Sequence, residues 1–126
     1  MKQEIGIMAD ILVLDDVSDA GMLVKRILER KGHRVTAFTE EEDALHHASK
    51  HSVDLAILDI KLKKMTGVEV LEELKKLNPD MKAIMLTGYP TLETAREALR
   101  LGAQEYCVKP INKDELETKV AEVIGE

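Results

Sequence analysis

Five short apolar runs alternate with five longer segments of helical periodicity along this 126-residue chain. The runs fall near residues 10–14, 34–38, 54–58, 82–86 and 105–108. Continuous apolar character over so few residues predicts strands buried on both faces. Between them, apolar residues recur three and four apart, which predicts amphipathic helices. The first helix covers about residues 18–31. Its inward stripe is Ala20, Leu23, Val24, Ile27 and Leu28, and Gly32 sits where a left-handed C-cap belongs. The second opens on Thr39 and Glu42 at capping-box spacing. The third starts near Gly67, carries Leu71, Leu74 and Leu77, and stops before Pro79. The fourth takes Thr91 as its N-cap, turns Leu92, Ala95, Ala98 and Leu99 inward, and closes at Gly102. The fifth takes Asn112 as its cap, with Glu115 at the box position and Ile111 and Leu116 at staple spacing. Its inner stripe is Leu116, Val120, Val123 and Ile124.

Strict alternation of strand and helix predicts an α/β domain, a parallel sheet with helices on both faces. Crossovers are right-handed by rule. Five strands favour the flavodoxin-like (βα)5 doubly wound order 2-1-3-4-5. The topological switch then lies between the first and third strands, and ligands bind outside the carboxyl ends of strands at such a point. Residues 10–126 are expected to form this domain, with residues 1–9 as a lead-in.

Four of the strands end in a polar or charged group. Asp15 and Asp16 follow the first, Asp59 the third, Thr87 the fourth and Lys109 the fifth. The strand order brings the three acids to one crevice, Thr87 beside Asp59, and Lys109 within a long side chain's reach. Two unit charges about 4 Å apart repel by about 4 kcal/mol at an effective dielectric of about 20. A cation must offset this, or a proton must be taken up. Lys109 supplies one charge; Mg²⁺ supplies two and prefers a few carboxylates with retained waters. No His or Cys joins the group, which disfavours softer metals. A carboxylate beside Mg²⁺ can attack phosphorus and form an acyl phosphate. Phosphoryl transfer asks a protein mainly for alignment and charge neutralisation, and Lys109 and Thr87 suit the phosphoryl oxygens. Each part alone also has an ordinary reading. Asp15-Asp16 can cap a helix, Asp59 can begin a loop, Thr87-Gly88 can turn, and Lys109 can be solvated.

Composition narrows the functions further. Apolar residues make up 44% of the chain, enough for a core, and that core is aliphatic, since Phe38, Tyr89 and Tyr106 are the aromatic residues. So few rings argue against binding that needs several stacked aromatics. A net charge of −6 argues against direct nucleic-acid binding, which draws on surplus Lys and Arg. No apolar run approaches the roughly 20 residues of a membrane span. Cys107 lies in an apolar strand and reads as a packed thiol, in keeping with a cytoplasmic protein.

In order, spacing and strand placement, Leu14-Asp15-Asp16, Asp59 with Gly67 eight residues on, Thr87-Gly88 and Tyr106-Cys107-Val108-Lys109-Pro110 resemble the response-regulator receiver domain of two-component signalling. The resemblance covers nearly the whole chain. It implies that Asp59 accepts a phosphoryl group from a histidine kinase or phosphotransfer protein. It implies Mg²⁺ bound directly by Asp16, Asp59 and the Lys61 backbone carbonyl, with Asp15 acting through water. It gives Thr87 and Lys109 the phosphoryl oxygens, Tyr106 the role of an aromatic switch, and Lys109-Pro110 a cis bond. A core tyrosine with its hydroxyl at the surface is the plainer reading of Tyr106. On this reading the domain catalyses only its own phosphorylation and dephosphorylation. It controls an effector or an attached output domain, and can pair with a second copy through helix 4, strand 5 and helix 5.

The chain departs from the common receiver pattern in places. Many receivers carry proline four residues after the phosphorylated Asp, where this chain has Lys63. Lys61, Lys63 and Lys64 make that loop basic, either for docking an anionic donor or as a solvated surface. Lys61 and Tyr89, each two residues past a site residue, are expected to overhang the site. Thr87-Gly88-Tyr89-Pro90-Thr91 resembles segments in receivers attached to nitrogen-regulator-type activators and in receivers fused to kinases. Three other readings compete. A phosphatase using an aspartyl phosphate needs a second Asp two residues after the nucleophile, where Lys61 stands. A flavin or nucleotide module needs a Gly/Ser/Thr-rich loop after the first strand, where Asp15-Asp16-Val17-Ser18-Asp19 would repel phosphate. A degenerate receiver acting only through contacts would not need the intact acids, Thr87 and Lys109.

Overall fold

Alternation of apolar runs with amphipathic stretches resolves into ten elements in a computed structural model that describes residues 8–125. They are β1 (Asp10–Leu14), α1 (Ser18–Glu29), β2 (Arg34–Phe38), α2 (Glu41–Lys50), β3 (Leu55–Leu58), α3 (Gly67–Leu77), β4 (Lys82–Thr87), α4 (Leu92–Arg100), β5 (Glu105–Val108) and α5 (Lys113–Gly125). All strand pairs are parallel, in the order β2-β1-β3-β4-β5. This is the doubly wound, flavodoxin-like α/β fold that the alternation predicts. Most of the lead-in expected over residues 1–9 lies outside the described residues. Among those described, no helix is long and apolar enough to cross a membrane.

The sheet separates two cores, because successive side chains of a buried strand point to opposite faces. On one face Leu12, Leu14, Ala56, Leu58, Ala83 and Met85 pack against α2, α3 and α4. On the other, Ile11, Val13, Leu55, Ile57, Ile84 and Leu86 pack against α1 and α5. Leu58, the last residue of β3, is fully buried, so the chain leaves the core at Asp59 with a fixed direction.

Helix starts explain where the sequence pattern needs correction. Thr39 and Glu42 do not form a capping box: Glu40 is the N-cap of α2, without a side-chain cap bond, and Glu41 is buried. The box appears instead at α3, where Thr66 accepts from the Glu69 N–H and the Glu69 carboxylate accepts from the Thr66 N–H. Thr91 caps α4, and Asn112 accepts from the Glu115 N–H at the start of α5. Asp15 and Asp16 do not cap α1, whose N-cap is Val17. Gly32 and Gly102 adopt positive φ, 94° and 95°, which favours glycine.

Four leucines expected inside are exposed. Leu92 and Leu99 stand out from α4, because its inner face is rotated onto Ala95, Ala98 and Leu101. Leu77 lies at the exposed end of α3, whose buried stripe is Val70, Leu71 and Leu74. Leu23 lines a cleft between α1 and the β5–α5 connection rather than the core.

Candidate functional site

Asp15 and Asp59 end adjacent strands. Leu14 pairs with Leu58 across the β1–β3 ladder, and the Asp59 N–H continues it to the Leu14 carbonyl at 3.0 Å. Both side chains are buried at the carboxyl edge of the sheet, and Asp16 beside them is half-buried. One carboxylate oxygen from each of Asp15, Asp16 and Asp59 lies within 4.8 Å of the others. The acids that sequence order assigned to one crevice are thus together.

Lys109 reaches them from β5. Its Nζ lies 2.5 Å from Asp15 Oδ2 and 3.0 Å from Asp59 Oδ2. Burial pushes the ammonium down, but the hydrogen bonds and charges of Asp15 and Asp59 outweigh it and hold Lys109 above its ordinary value. Lys109 therefore carries its charge at neutral pH, and three carboxylates face one fixed cation. The backbone is placed by the Lys109 N–H, which donates to the Thr87 carbonyl at 2.8 Å, and Lys109-Pro110 is cis.

The second oxygens of Asp15 and Asp59 are also held. Asp15 Oδ1 accepts from the Val17 N–H at 2.9 Å, and Asp59 Oδ1 accepts from the Lys61 N–H at 3.3 Å. Thr87 is fully buried at the end of β4, and its hydroxyl accepts from the Tyr89 N–H at 3.0 Å. Lys61 and Tyr89 meet each other, with the Lys61 Nζ 4.4 Å from the Tyr89 ring centre. Tyr106 is half-buried; its hydroxyl lies 2.7 Å from the Thr94 Oγ1 and accepts from the Thr91 N–H at 3.4 Å. It tethers α4 to β5.

The β3–α3 loop ends at Gly67, buried with no room for a side chain. A Cβ there would lie 1.9 Å from the Asp59 carbonyl oxygen. The Gly67 N–H donates to Ile60 O at 2.7 Å, and Lys61 bridges Thr66. Lys63 and Lys64 extend to Glu40, the N-cap of α2, and to Glu42 in its first turn, so these two lysines of the basic loop are exposed and paired. Glu41 is a residue that sequence reasoning missed. Its Oε2 accepts from the Lys64 and Met65 N–H groups. Nothing local points to this bond, since its partners are 23 and 24 residues away.

Hard oxygen donors converging with excess negative charge suit Mg²⁺. With one oxygen of each acid within 4.8 Å of the others, a small divalent ion with retained waters could be held among them. The donor set contains no soft ligand.

The family profile described as "Response regulator receiver domain" matches residues 11–121. The "Transcriptional regulatory protein ZraR" of Klebsiella oxytoca is 34% identical over 120 residues, 95% of this chain and 27% of that protein. A CheY-like receiver structure from Methanospirillum hungatei JF-1 superposes with a TM-score of 0.88 at 38% identity, covering 92% of this chain and 93% of that one. A response regulator from Burkholderia pseudomallei, described with a phosphorylated aspartic acid, a calcium ion and citrate, superposes with a TM-score of 0.83 at 30% identity. It covers 91% of this chain and 66% of that one. The chain spans about a quarter of the length of the curated relatives it matches.

Proposed function

Since the chain belongs to the response-regulator receiver family, we propose that Asp59 is the phosphoryl acceptor of a Mg²⁺-dependent switch. The observation that carries this is the convergence of Asp15, Asp16 and Asp59 on one side and Lys109 on the other. The phosphorylated aspartate and calcium ion described for the Burkholderia relative support the same assignment.

Asp16, Asp59 and the Lys61 carbonyl would hold Mg²⁺, with Asp15 acting through water. When bound, the ion neutralises charge on the acids and the incoming phosphoryl group. A carboxylate oxygen of Asp59 attacks the phosphorus of a donor phosphohistidine. The new P–O bond forms as the N–P bond breaks, and its electron pair returns to the imidazole. Lys109 exchanges its bond to Asp59 for a phosphoryl oxygen. The Thr87 hydroxyl gives up the Tyr89 N–H and turns to another oxygen. Movement of Thr87 frees space toward which Tyr106 swings, and the α4–β5–α5 face changes. Phosphorylation shifts this equilibrium only by its differential interaction with the two states. Turnover is confined to the domain's own acyl phosphate.

The partners we propose are a histidine kinase or phosphotransfer protein as donor and an effector or output domain as target. A cleft of about 410 Å³ beside the acids, lined by Leu23, Ile27, Lys109, Pro110 and Ile111, supports docking of a donor there. Exposed Leu92, Leu99 and Val108 support the α4–β5–α5 face as the seat of an effector or second copy. The relatives' longer chains support a transcriptional output domain. A cytoplasmic location and a domain over residues 10–126 belong to the same reading.

Incubation with acetyl phosphate, with and without Mg²⁺, followed by intact-mass analysis, tests it. Wild type should gain one phosphoryl adduct with Mg²⁺ present, and Asp59→Asn should gain none. Equal labelling of the variant would defeat the assignment.

A further inference from the structure

Three consecutive glutamates, Glu40, Glu41 and Glu42, open α2, and all three contact the loop that follows Asp59. Glu40 and Glu42 do so through exposed ion pairs, to Lys63 at 2.7 Å and Lys64 at 3.4 Å, which hold little. Glu41 differs in kind. It is 2% exposed, and its Oε2 accepts the backbone N–H groups of Lys64 at 2.6 Å and Met65 at 2.8 Å. Bonds from backbone N–H to a carboxylate are among the stronger hydrogen bonds of a protein.

An acidic residue in the first turn of a helix normally faces water. Glu41 is instead buried, and its Oε1 has no hydrogen-bond partner among the described residues. Burial pushes its carboxyl up, but the Met65 and Lys64 N–H groups outweigh this and hold it below its ordinary value. A buried, ionised carboxylate with one oxygen unmatched is costly. What it secures is the middle of the loop whose ends are fixed by Asp59 and by Gly67. That loop carries Lys63 where proline would have fixed the backbone.

We propose that Glu41 is a positioning residue for the divalent-cation site: by pinning Lys64 and Met65 it holds the Lys61 backbone in place beside Asp59. The inference rests on reading the acid cluster as a Mg²⁺ site. It concerns a residue on another element that touches neither the ion nor the phosphoryl group. Supporting groups of this kind commonly alter metal affinity 10- to 100-fold when removed.

Mg²⁺ titration of the full chain, followed by NMR, tests the proposal in wild type, Glu41→Ala, Glu41→Gln and Asp54→Ala. In Glu41→Ala the dissociation constant should rise about tenfold. The Lys64 and Met65 amides should exchange faster in metal-free protein, and saturating Mg²⁺ should restore phosphorylation by acetyl phosphate. Glu41→Gln keeps an acceptor oxygen for the loop, so its affinity should stay within about twofold of wild type. Asp54→Ala removes the acceptor of the Asp10 N–H at the opposite end of β3 and should leave Mg²⁺ affinity unchanged. Unchanged affinity in Glu41→Ala overturns the proposal. So does an equal loss in Glu41→Ala and Glu41→Gln, because the effect would then follow charge and not loop position. If Glu41→Ala does not fold, Glu41→Gln decides: protected amides with retained affinity support the proposal, and lost protection with retained affinity overturns it. Failure of wild type to bind Mg²⁺ is a separate result, which removes the reading of the acid cluster and this inference with it.

Discussion

The Lys61 ammonium lies 4.4 Å from the centre of the Tyr89 ring, joining the loop after β3 to the loop after β4. Both residues stand two positions past a site residue, Asp59 and Thr87. A cation over an exposed ring is worth about 0.5–1 kcal/mol, enough to bias a contact across the site. The pair should limit water's approach to an acyl phosphate on Asp59. Lys61→Ala and Tyr89→Ala should each raise the dephosphorylation rate about threefold. The double variant should be less than multiplicative, since the two act as one contact. Decay of phosphoprotein measured for all four proteins checks this; a double variant that decays at the wild-type rate would remove the gate.

Gly67→Ala should be among the most damaging small substitutions. Its Cβ would meet the Asp59 carbonyl oxygen at 1.9 Å, a backbone atom that cannot swing aside. Overpacking of this kind costs about 1–3 kcal/mol, and relief must come from moving Asp59 or the start of α3. Urea unfolding should show that loss, and labelling by acetyl phosphate should fall with it even where the variant remains folded. A variant as stable and as readily labelled as wild type would contradict the close approach.

His33 gives the fold a pH dependence remote from the acids. Its Nδ1 accepts the Ala9 N–H at 3.1 Å, which requires that nitrogen to be unprotonated. Burial, and then the charge of Lys31, lower its pKa below the ordinary 6.5. A group with a depressed folded pKa that is needed in its neutral form contributes stability above the unfolded pKa and loses it as pH falls through the folded value. The stability difference between wild type and His33→Ala should therefore be about 1 kcal/mol at pH ~7.5 and shrink below pH ~6.5. Urea titrations across that range, with an NMR titration of the His33 ring, check it. A constant difference, or a ring that titrates above 6.5, would contradict it.

Much of this protein was legible because its determinants are local or topological. A run such as Leu55–Leu58 is apolar throughout because parallel strands are covered on both faces. Given the strand order that five such units favour, Asp15, Asp16 and Asp59 come to one crevice within reach of Lys109. Where the pattern failed, a tertiary choice intervened. Leu92 and Leu99 had helical spacing with Ala95, but α4 buries the stripe through Ala98 and Leu101 instead, and periodicity alone does not choose between overlapping stripes. Thr39 and Glu42 had box spacing, but the helix starts one residue later, with Glu40 as its N-cap, and Glu41 finds partners in a distant loop. The box at Thr66 and Glu69 carried a sequence signal as clear as the false one. Glu41 carried none, because a glutamate in a first turn is what the helix dipole already favours.

Tyr106 sets how tightly α4 is held before any phosphoryl group arrives. Its hydroxyl lies 2.7 Å from Thr94 Oγ1 and accepts the Thr91 N–H, which together fix the N-terminal turn of α4 to β5. A swing of the ring toward Thr87 must break both contacts, and each net hydrogen bond is worth about 0.5–1.5 kcal/mol. Tyr106→Phe keeps the ring but removes the tether, so the switched arrangement should gain population by about fivefold for a loss of about 1 kcal/mol. Moving fully from 1:99 to 99:1 takes about 5.5 kcal/mol, so the variant should be primed but not constitutive. Amide shifts of α4 in the unphosphorylated variant should move part of the way toward those of phosphorylated wild type, along the same line. Because a ligand pays less when the competent state is already populated, acetyl phosphate should also label the variant faster. Shifts that stay at the unphosphorylated wild-type positions would mean that the hydroxyl holds α4 equally in both states, and that the tether plays no part in the switch.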